Sequence, residues 1–248
     1  GIVSGDLQLA YPLRTTVEET VLSGNHDSIG LYEEPGGYER EIARRWIATI
    51  GLSGWEGRRL RELSFGVRRM LLVARAVVKG PDLLIADEPC QGLDDDHARQ
   101  VLGLLDSIGS SGGHCMLYVT HDPEEALSIS DRVAVMHEGS IEQAGHPEQV
   151  FQLPTSRFVA GFLGHASFLS AYVYDDVVET AIGDLPRDRI HGLAPAYDRT
   201  TVDVLVRPDD VDARPCPESG DPDGTVTYRR YLGPSVLYRV ELESGDAC

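Results

Sequence analysis

The chain has 248 residues, a length that allows one large domain or two small ones at roughly 100–200 residues per domain. Acidic residues outnumber basic residues 40 to 22, so the formal net charge is −18. Proteins that coat nucleic acids gain affinity by neutralising phosphates with lysine and arginine, and this charge balance therefore argues against such a role. All but one of the basic residues are arginines, and Lys79 is the sole lysine.

The sequence also limits the compartment. It has no run of roughly 18–20 apolar residues that could cross a bilayer, and it begins with neither a basic region nor an apolar signal core. The cysteines are scattered and form no CxxC pair, which favours free thiols in a reducing compartment over disulfides. They are Cys90, Cys115, Cys216 and Cys248.

Helical and strand patterns alternate in the first part of the chain, as they do in α/β domains. Apolar residues at helical spacing predict helices over 39–50, 66–79, 97–107 and 123–130. Continuous apolar runs predict fully buried strands of a parallel sheet over 83–86 and 115–120. A hairpin follows, with strands at 133–137 and near Ile141.

Past residue 165 the pattern changes to short β-rich runs separated by turns rich in proline, glycine and aspartate, such as 215–224. This spacing predicts a small all-β barrel or sandwich. The β-rich runs cover 171–178, 202–207, 225–231 and 236–242. We therefore expect two domains, 1–164 and 165–248.

Two carboxylates follow the predicted strand 83–86 directly, in the segment LLIADEP. A parallel strand that ends in Asp87 and Glu88 holds them at the carboxyl edge of the sheet, where α/β folds bind ligands. Two adjacent acids at that edge are costly to bury without a cation, which favours a metal–phosphate site. Two solvated acids at an ordinary strand exit are the alternative.

A candidate anion site precedes the predicted helix 66–79. Ser64 and Gly66 in LSFGV offer a hydroxyl, free N–H groups and the positive end of the helix dipole. A simple helix cap is the alternative reading. Asp94 lies in a predicted turn, in QGLDD, and His121 follows a predicted strand, in VTHD. A lone histidine at the end of a strand is more often structural than functional.

Together and in this order, these segments resemble the ATP-binding subunit of ABC transporters. The signature loop LSFGV departs from the usual LSGGQ at Phe65 and Val67. LLIADEP resembles the Walker B strand, QGLDD the D-loop and VTHD the H-loop. The resemblance implies an α/β, P-loop NTPase-like core followed by a small all-β, OB-like barrel of the TOBE type.

The resemblance also implies roles for individual residues in the hydrolysis of ATP with Mg²⁺. Asp87 would hold Mg²⁺, Glu88 would act as general base for the hydrolytic water, and His121 would contact the γ-phosphate. This is phosphoryl transfer by positioning and charge neutralisation.

Further residues would act across a dimer. Ser64 and Gly66 would bind the γ-phosphate of ATP held by the opposite subunit, while Asp94 would link the two sites. Gln8 is the candidate for the Q-loop glutamine that senses Mg²⁺ and the permease, and a plain surface glutamine is the alternative.

The P-loop of this family, GxxxxGK[ST], does not occur in these 248 residues. Lys79 lies at the end of a predicted helix, after the signature loop, and cannot serve as the P-loop lysine. We therefore expect an ATPase domain that is truncated before its Q-loop and a barrel that stops short. We also expect no ATP hydrolysis by this chain alone.

The likeness differs between the two parts of the chain. The segments FLGHASFL and RYLGPSVLYRVEL are similar to importer ATPases of the iron(III) and polyamine branch, which carry a C-terminal TOBE domain. The first half resembles soluble molybdenum-associated ABC ATPases. A soluble regulatory ATPase and an inactive fragment or hybrid therefore stay open as alternatives.

The importer interpretation implies several partners. They are a second ATPase subunit, a membrane permease on whose cytoplasmic face the chain would dock and, indirectly, a periplasmic or extracellular solute-binding protein. Nucleic acid is not among them. Ferric iron is the favoured solute.

Overall fold

A computed structural model describes residues 1–211, 214, 224–231 and 236–242. The chain divides into two compact units, Gly1–Ser130 and Asp131–Cys248. This division falls earlier in the chain than the predicted domain boundary at 164/165, which stays a prediction. No helix in the described ranges is long and apolar enough to cross a membrane.

The first unit mixes strands and helices. Its strands are β1 (Ile2–Ser4), β2 (Leu83–Asp87) and β3 (Cys115–Val119). Its helices are α1 (Gly5–Ala10), α2 (Val17–Leu22), α3 (Gly37–Thr49), α4 (Phe65–Val77), α5 (Asp95–Ser110) and α6 (Pro123–Ile129). Short 3-10 turns cover Ser23–His26 and Leu60–Glu62. The helices and strands predicted in this unit are all present, with ends shifted by a few residues.

The three strands of this unit form a parallel sheet in the order β1-β2-β3. The register pairs Ser4 with Asp87, and Asp87 with Val119. The carboxyl ends of the strands therefore meet at one edge. The segments that follow the strands, which carry Gln8, Glu88 and His121, all start from this edge.

The prediction that β2 and β3 are fully buried was wrong. Along β2 the side chains alternate, so that Leu84 is fully buried while Leu83 is 45% exposed. On β3, Leu117 and Val119 are exposed. Among the described residues the sheet therefore buries one face in the core, and the continuous apolar runs did not show which face the helices cover.

Helix α4 is the centre of the core. It contacts α2, α3, α5 and β1, and most of its residues are buried. Two of those buried residues are arginines, Arg69 and Arg75. The helix ends at Val77, and Gly80 then adopts φ +64° before β2 begins. Lys79 lies in this turn and pairs with Asp27.

The second unit is rich in strands. They are β4 (Val133–His137), β5 (Ser140–Gly145), β6 (Ser167–Tyr174), β7 (Val177–Thr180), β8 (Gly183–Pro186), β9 (Thr201–Val206), β10 (Gly224–Tyr231) and β11 (Val236–Leu242). Helices α7 (Pro147–Gln152) and α8 (Arg157–Leu163) follow β5. Single 3-10 turns cover Arg187–Arg189, Pro195–Tyr197 and Pro208–Asp210.

The described strands of this unit form antiparallel sheets in the orders β4-β5, β8-β7-β6-β9 and β10-β11. The β-rich character is confirmed, but the described residues do not form a closed barrel. The run predicted at 171–178 is two strands, because the chain turns at Asp175, which has φ +47°. Most of the predicted turn 215–224, the cysteines 216 and 248 and the predicted early end of the barrel lie outside the described residues.

Adjacent leucines on β2 allow a test of the one-sided burial. We expect Leu84→Ala to lower the free energy of unfolding by about 2–5 kcal/mol, because it removes a fully buried side chain and leaves a cavity. The matched variant Leu83→Ala should cost less than about 1 kcal/mol, since that side chain is half exposed. Urea denaturation followed by circular dichroism measures both. Equal losses would contradict the one-sided burial.

Candidate functional site

The predicted carboxylates lie where β2 leaves the sheet. Asp87 is the last residue of β2 and is exposed at its carboxyl end, and Glu88 begins the following turn. Glu88 has φ +48°, a left-handed conformation that costs a non-glycine residue about 1–2 kcal/mol. Its N–H donates to the carbonyl of Val119 at 2.9 Å, which fixes the turn to β3.

One oxygen of the Glu88 carboxylate, Oε1, is buried and has no hydrogen-bond partner among the described residues. Nε2 of His121 lies 3.8 Å from this oxygen, beyond normal hydrogen-bond length. The side chain of His121 is 92% exposed. The structure thus brings these two predicted residues together, with His121 on the solvent side.

The candidate anion site is a capped helix N-terminus. Ser64 is the N-cap of α4, and its hydroxyl accepts a hydrogen bond from the N–H of Val67 at 3.3 Å. Gly66 in the first turn is buried against His97, and a Cβ at Gly66 would lie 2.2 Å from the His97 ring. The close approach of α4 and α5 therefore requires glycine at this position.

Asp94 is bonded to the histidine that packs on Gly66. It is the N-cap of α5, and its Oδ1 accepts from the N–H of His97 at 2.9 Å. Its Oδ2 pairs with Nδ1 of the His97 ring at 2.7 Å. The backbone bond first, and the ring second, lower the pKa of Asp94. The loop that carries Asp94 is thereby fixed to the ring that packs on Gly66.

Gln8 is buried on α1, and both ends of its amide are bonded. Its Nε2 donates to the carbonyl of Phe65 at 3.2 Å, and its Oε1 accepts from Nε of Arg69 at 2.7 Å. Arg69 Nη1 also donates to the carbonyls of Glu88 and Pro89, at 3.0 and 2.9 Å. Burial lowers the pKa of Arg69. Gln8 is thus joined to the signature loop and, through Arg69, to the turn at Glu88.

A second polar network supports the ends of β2 and β3 from inside. The Tyr118 hydroxyl donates to Glu125 Oε2 at 2.6 Å, and Thr120 donates to the same oxygen at 2.9 Å. The Tyr118 hydroxyl also lies 3.6 Å from Sγ of Cys90. Burial is the main cause that raises the pKa of Tyr118, and it raises the pKa of Cys90 to about 11.

Sequence reasoning missed Arg69 and His97. A signal for Arg69 was present, because helical spacing from Gly66 places it on the buried face of α4 together with Val73. A charged residue on an apolar face indicates a buried polar contact. For His97 there was no such signal, since its contact with Gly66 depends on how closely α4 and α5 approach.

Two family profiles match parts of this chain. The ABC transporter family profile matches residues 6–91, and the TOBE domain profile matches residues 204–248. The two matches agree with the resemblance drawn from the motifs.

Curated relatives include import proteins. The chain is 34% identical over 212 residues to the Fe(3+) ions import ATP-binding protein FbpC 1 of Rhizobium meliloti (strain 1021), covering 83% of this chain and 58% of the relative. It is 34% identical over 215 residues to the spermidine/putrescine import ATP-binding protein PotA of Hahella chejuensis, covering 83% and 59%. The chain thus spans somewhat more than half the length of the curated relatives it matches.

A solved structure shares the fold. It is described as an inward-facing conformation of a metal-chelate type ABC transporter. The TM-score is 0.56 at 22% sequence identity, and the match covers 79% of this chain and 72% of the other. At this identity the likeness supports the fold alone.

The contact between Gly66 and His97 can be tested by adding a methyl group. We expect Gly66→Ala to lower the free energy of unfolding by about 1–3 kcal/mol, because the Cβ overlaps the His97 ring. The same substitution in a His97→Ala background should cost less. A Cβ at Gly103, inside α5, meets no described atom within 4 Å, so Gly103→Ala should be neutral or stabilising by up to about 1 kcal/mol. Urea denaturation distinguishes these outcomes, and equal costs in both backgrounds would contradict the contact.

The raised pKa of Cys90 predicts slow alkylation. With a pKa of about 11, only about one Cys90 thiol in a thousand is ionised at pH 8, and the thiolate is the reactive form. We expect iodoacetamide to modify exposed Cys115 well before Cys90, and the Cys90 rate to rise about tenfold per pH unit between pH 8 and 9. Peptide mass spectrometry measures both rates. Equal alkylation rates of Cys90 and Cys115 in the folded protein would contradict the raised pKa of Cys90.

Proposed function

We propose that this chain is part of an ATP-binding subunit that energises an importer. Its residues 6–91 match the ABC transporter family, and its residues 204–248 match the TOBE domain family. The observation that carries the proposal is the buried, unpartnered Oε1 of Glu88 beside His121, at the carboxyl edge of a parallel sheet. A carboxylate in that position can accept a proton from an attacking water. The TOBE match supports an importer over a soluble regulatory ATPase.

Three residues at this edge would act on ATP. Glu88 would take the proton of the hydrolytic water, and exposed His121 would contact the γ-phosphate. Asp87 would hold Mg²⁺, for which an exposed carboxylate at the end of β2 is a suitable oxygen ligand. When bound, Mg²⁺ neutralises phosphate charge.

Three residues would act on the nucleotide held by a second ATPase subunit. Ser64 and Gly66 lie at the N-terminus of α4, where free N–H groups and the helix dipole favour a phosphate. Asp94 would link the two nucleotide sites, which is consistent with its bonds to His97 beside Gly66.

Gln8 would sense Mg²⁺ and the permease. Its amide oxygen accepts one hydrogen bond from Arg69 here, and its second lone pair is the one with which it would face a metal ion.

The names of the relatives support a choice of solute and partners. Named relatives import Fe(3+) ions or spermidine/putrescine, and we propose ferric iron or a related small solute. The partners would be a second ATPase subunit, a membrane permease that holds the chain at the cytoplasmic face of the membrane and, through the permease, a solute-binding protein.

ATPase measurements test this proposal. The 248 residues contain no GxxxxGK[ST], so we expect no phosphate release from MgATP by this chain alone. Joined to a segment that carries this motif, the chain should hydrolyse ATP. Glu88→Gln should then slow turnover about 10²–10⁴-fold, the usual contribution of a general base.

Glu124→Gln is the matched control, because Glu124 is an exposed glutamate in the first turn of α6. It should leave turnover unchanged. Turnover by the 248-residue chain that Glu88→Gln abolishes, or turnover by the extended protein that is insensitive to Glu88→Gln, would overturn the proposal.

A further inference from the structure

The guanidinium of Arg69 joins three segments that are distant in sequence. Arg69 lies on the buried face of α4 and is 1% exposed. Its Nε donates to Gln8 on α1, and its Nη1 donates to the carbonyls of Glu88 and Pro89 after β2. The ring of Phe65 lies 5.5 Å from its Cζ atom. One side chain of α4 thus bonds both to Gln8 and to the turn at Glu88.

These acceptors are neutral, which makes their geometry important. A buried cation is costly unless its donors are satisfied, and here one amide oxygen and two carbonyl oxygens accept from its Nε and Nη1. Moving any of the three would leave an N–H of Arg69 unpaired. The positions of Gln8 and of the turn at Glu88 are therefore not independent.

The turn at Glu88 is fixed at its backbone while one side-chain oxygen is free. Its N–H donates to Val119, and its carbonyl accepts from Arg69 at 3.0 Å and from the N–H of Gln91 at 3.2 Å. These bonds hold the left-handed conformation at φ +48°. Oε1 of the carboxylate has no described protein partner. Among the described residues, the bonds at Glu88 thus hold the backbone from which the carboxylate extends, and Arg69 makes one of them.

We propose that Arg69 is a positioning residue that sets the orientation of the Glu88 carboxylate and couples it to the position of Gln8. This rests on the proposed function, in which Glu88 is the general base and Gln8 the sensor. Displacement of Gln8 would free Nε of Arg69, change the bonds of Nη1 to the carbonyls and so shift Glu88.

Nuclear magnetic resonance on the full 248-residue chain tests this proposal without nucleotide. The side-chain carboxyl carbon of Glu88 is labelled through ¹³C-glutamate and assigned by its loss in Glu88→Gln. We expect Arg69→Met to move this resonance and to speed amide exchange at Gln91 about tenfold or more, because the carbonyl that Gln91 shares with Arg69 loses its anchor.

Arg68→Met is the matched control. Arg68 is the neighbouring arginine of α4, and its Nε and Nη2 both donate to the carbonyl of Leu63, at 3.1 and 3.0 Å. Loss of these bonds should lower the urea midpoint but leave the Glu88 resonance in place. If Arg69→Met does not fold, Arg69→Lys replaces it, since an ammonium lacks the planar fork, and it should give a smaller shift in the same direction.

A double-variant comparison tests the coupling itself. Gln8→Ala should move the Glu88 resonance in the wild-type background and leave it unmoved in the Arg69→Met background. The proposal is overturned if Arg69 variants leave the resonance in place, if Arg68→Met moves it equally, or if Gln8→Ala acts equally in both backgrounds. These results do not depend on ATPase activity. Failure of the proposed function would instead appear as absence of turnover in the extended protein, so the two failures are distinguishable.

Discussion

The guanidinium of Arg69 lies almost entirely out of water, and its N–H groups must find acceptors inside the protein. Those acceptors come from α1 and from the turn after β2, while Arg69 itself comes from α4. The helix that presents Ser64 and Gly66 at its N-terminus is thereby fixed relative to the strand that ends in Asp87. Motifs that lie dozens of residues apart in the chain are thus held close together, because their polar groups bond to the same buried side chain.

Periodicity was sufficient to predict the longer elements. Helices α3, α4 and α5 carry apolar residues at helical spacing, and β2 is a continuous apolar run. The short elements β1, α1 and α2 were missed, although Thr16 and Glu19 form a capping box that the sequence already contained at the start of α2. The exposure of the second sheet face could not be predicted, because it depends on which layers cover the strands and not on the strands themselves.

The candidate site divides in the same way. Asp87 and Glu88 were candidates from their position at the end of a strand, because parallel strands bring their carboxyl ends to one edge. His121 was a candidate only through the resemblance of VTHD to the H-loop. The left-handed backbone of Glu88 and the contact of Gly66 with His97 depend on contacts between elements. Local patterns carry no information on such contacts, except where a charged residue such as Arg69 breaks an apolar face.

The exposed face of the parallel sheet has a consequence for the behaviour of the protein in solution. Leu83, Leu117 and Val119 present apolar surface on neighbouring strands, and such surface favours association at high concentration. The net charge of −18 opposes this, because like-charged molecules repel each other. Since salt shortens the range of that repulsion to about 10 Å at 0.1 M, the colloidal stability of this chain depends on ionic strength.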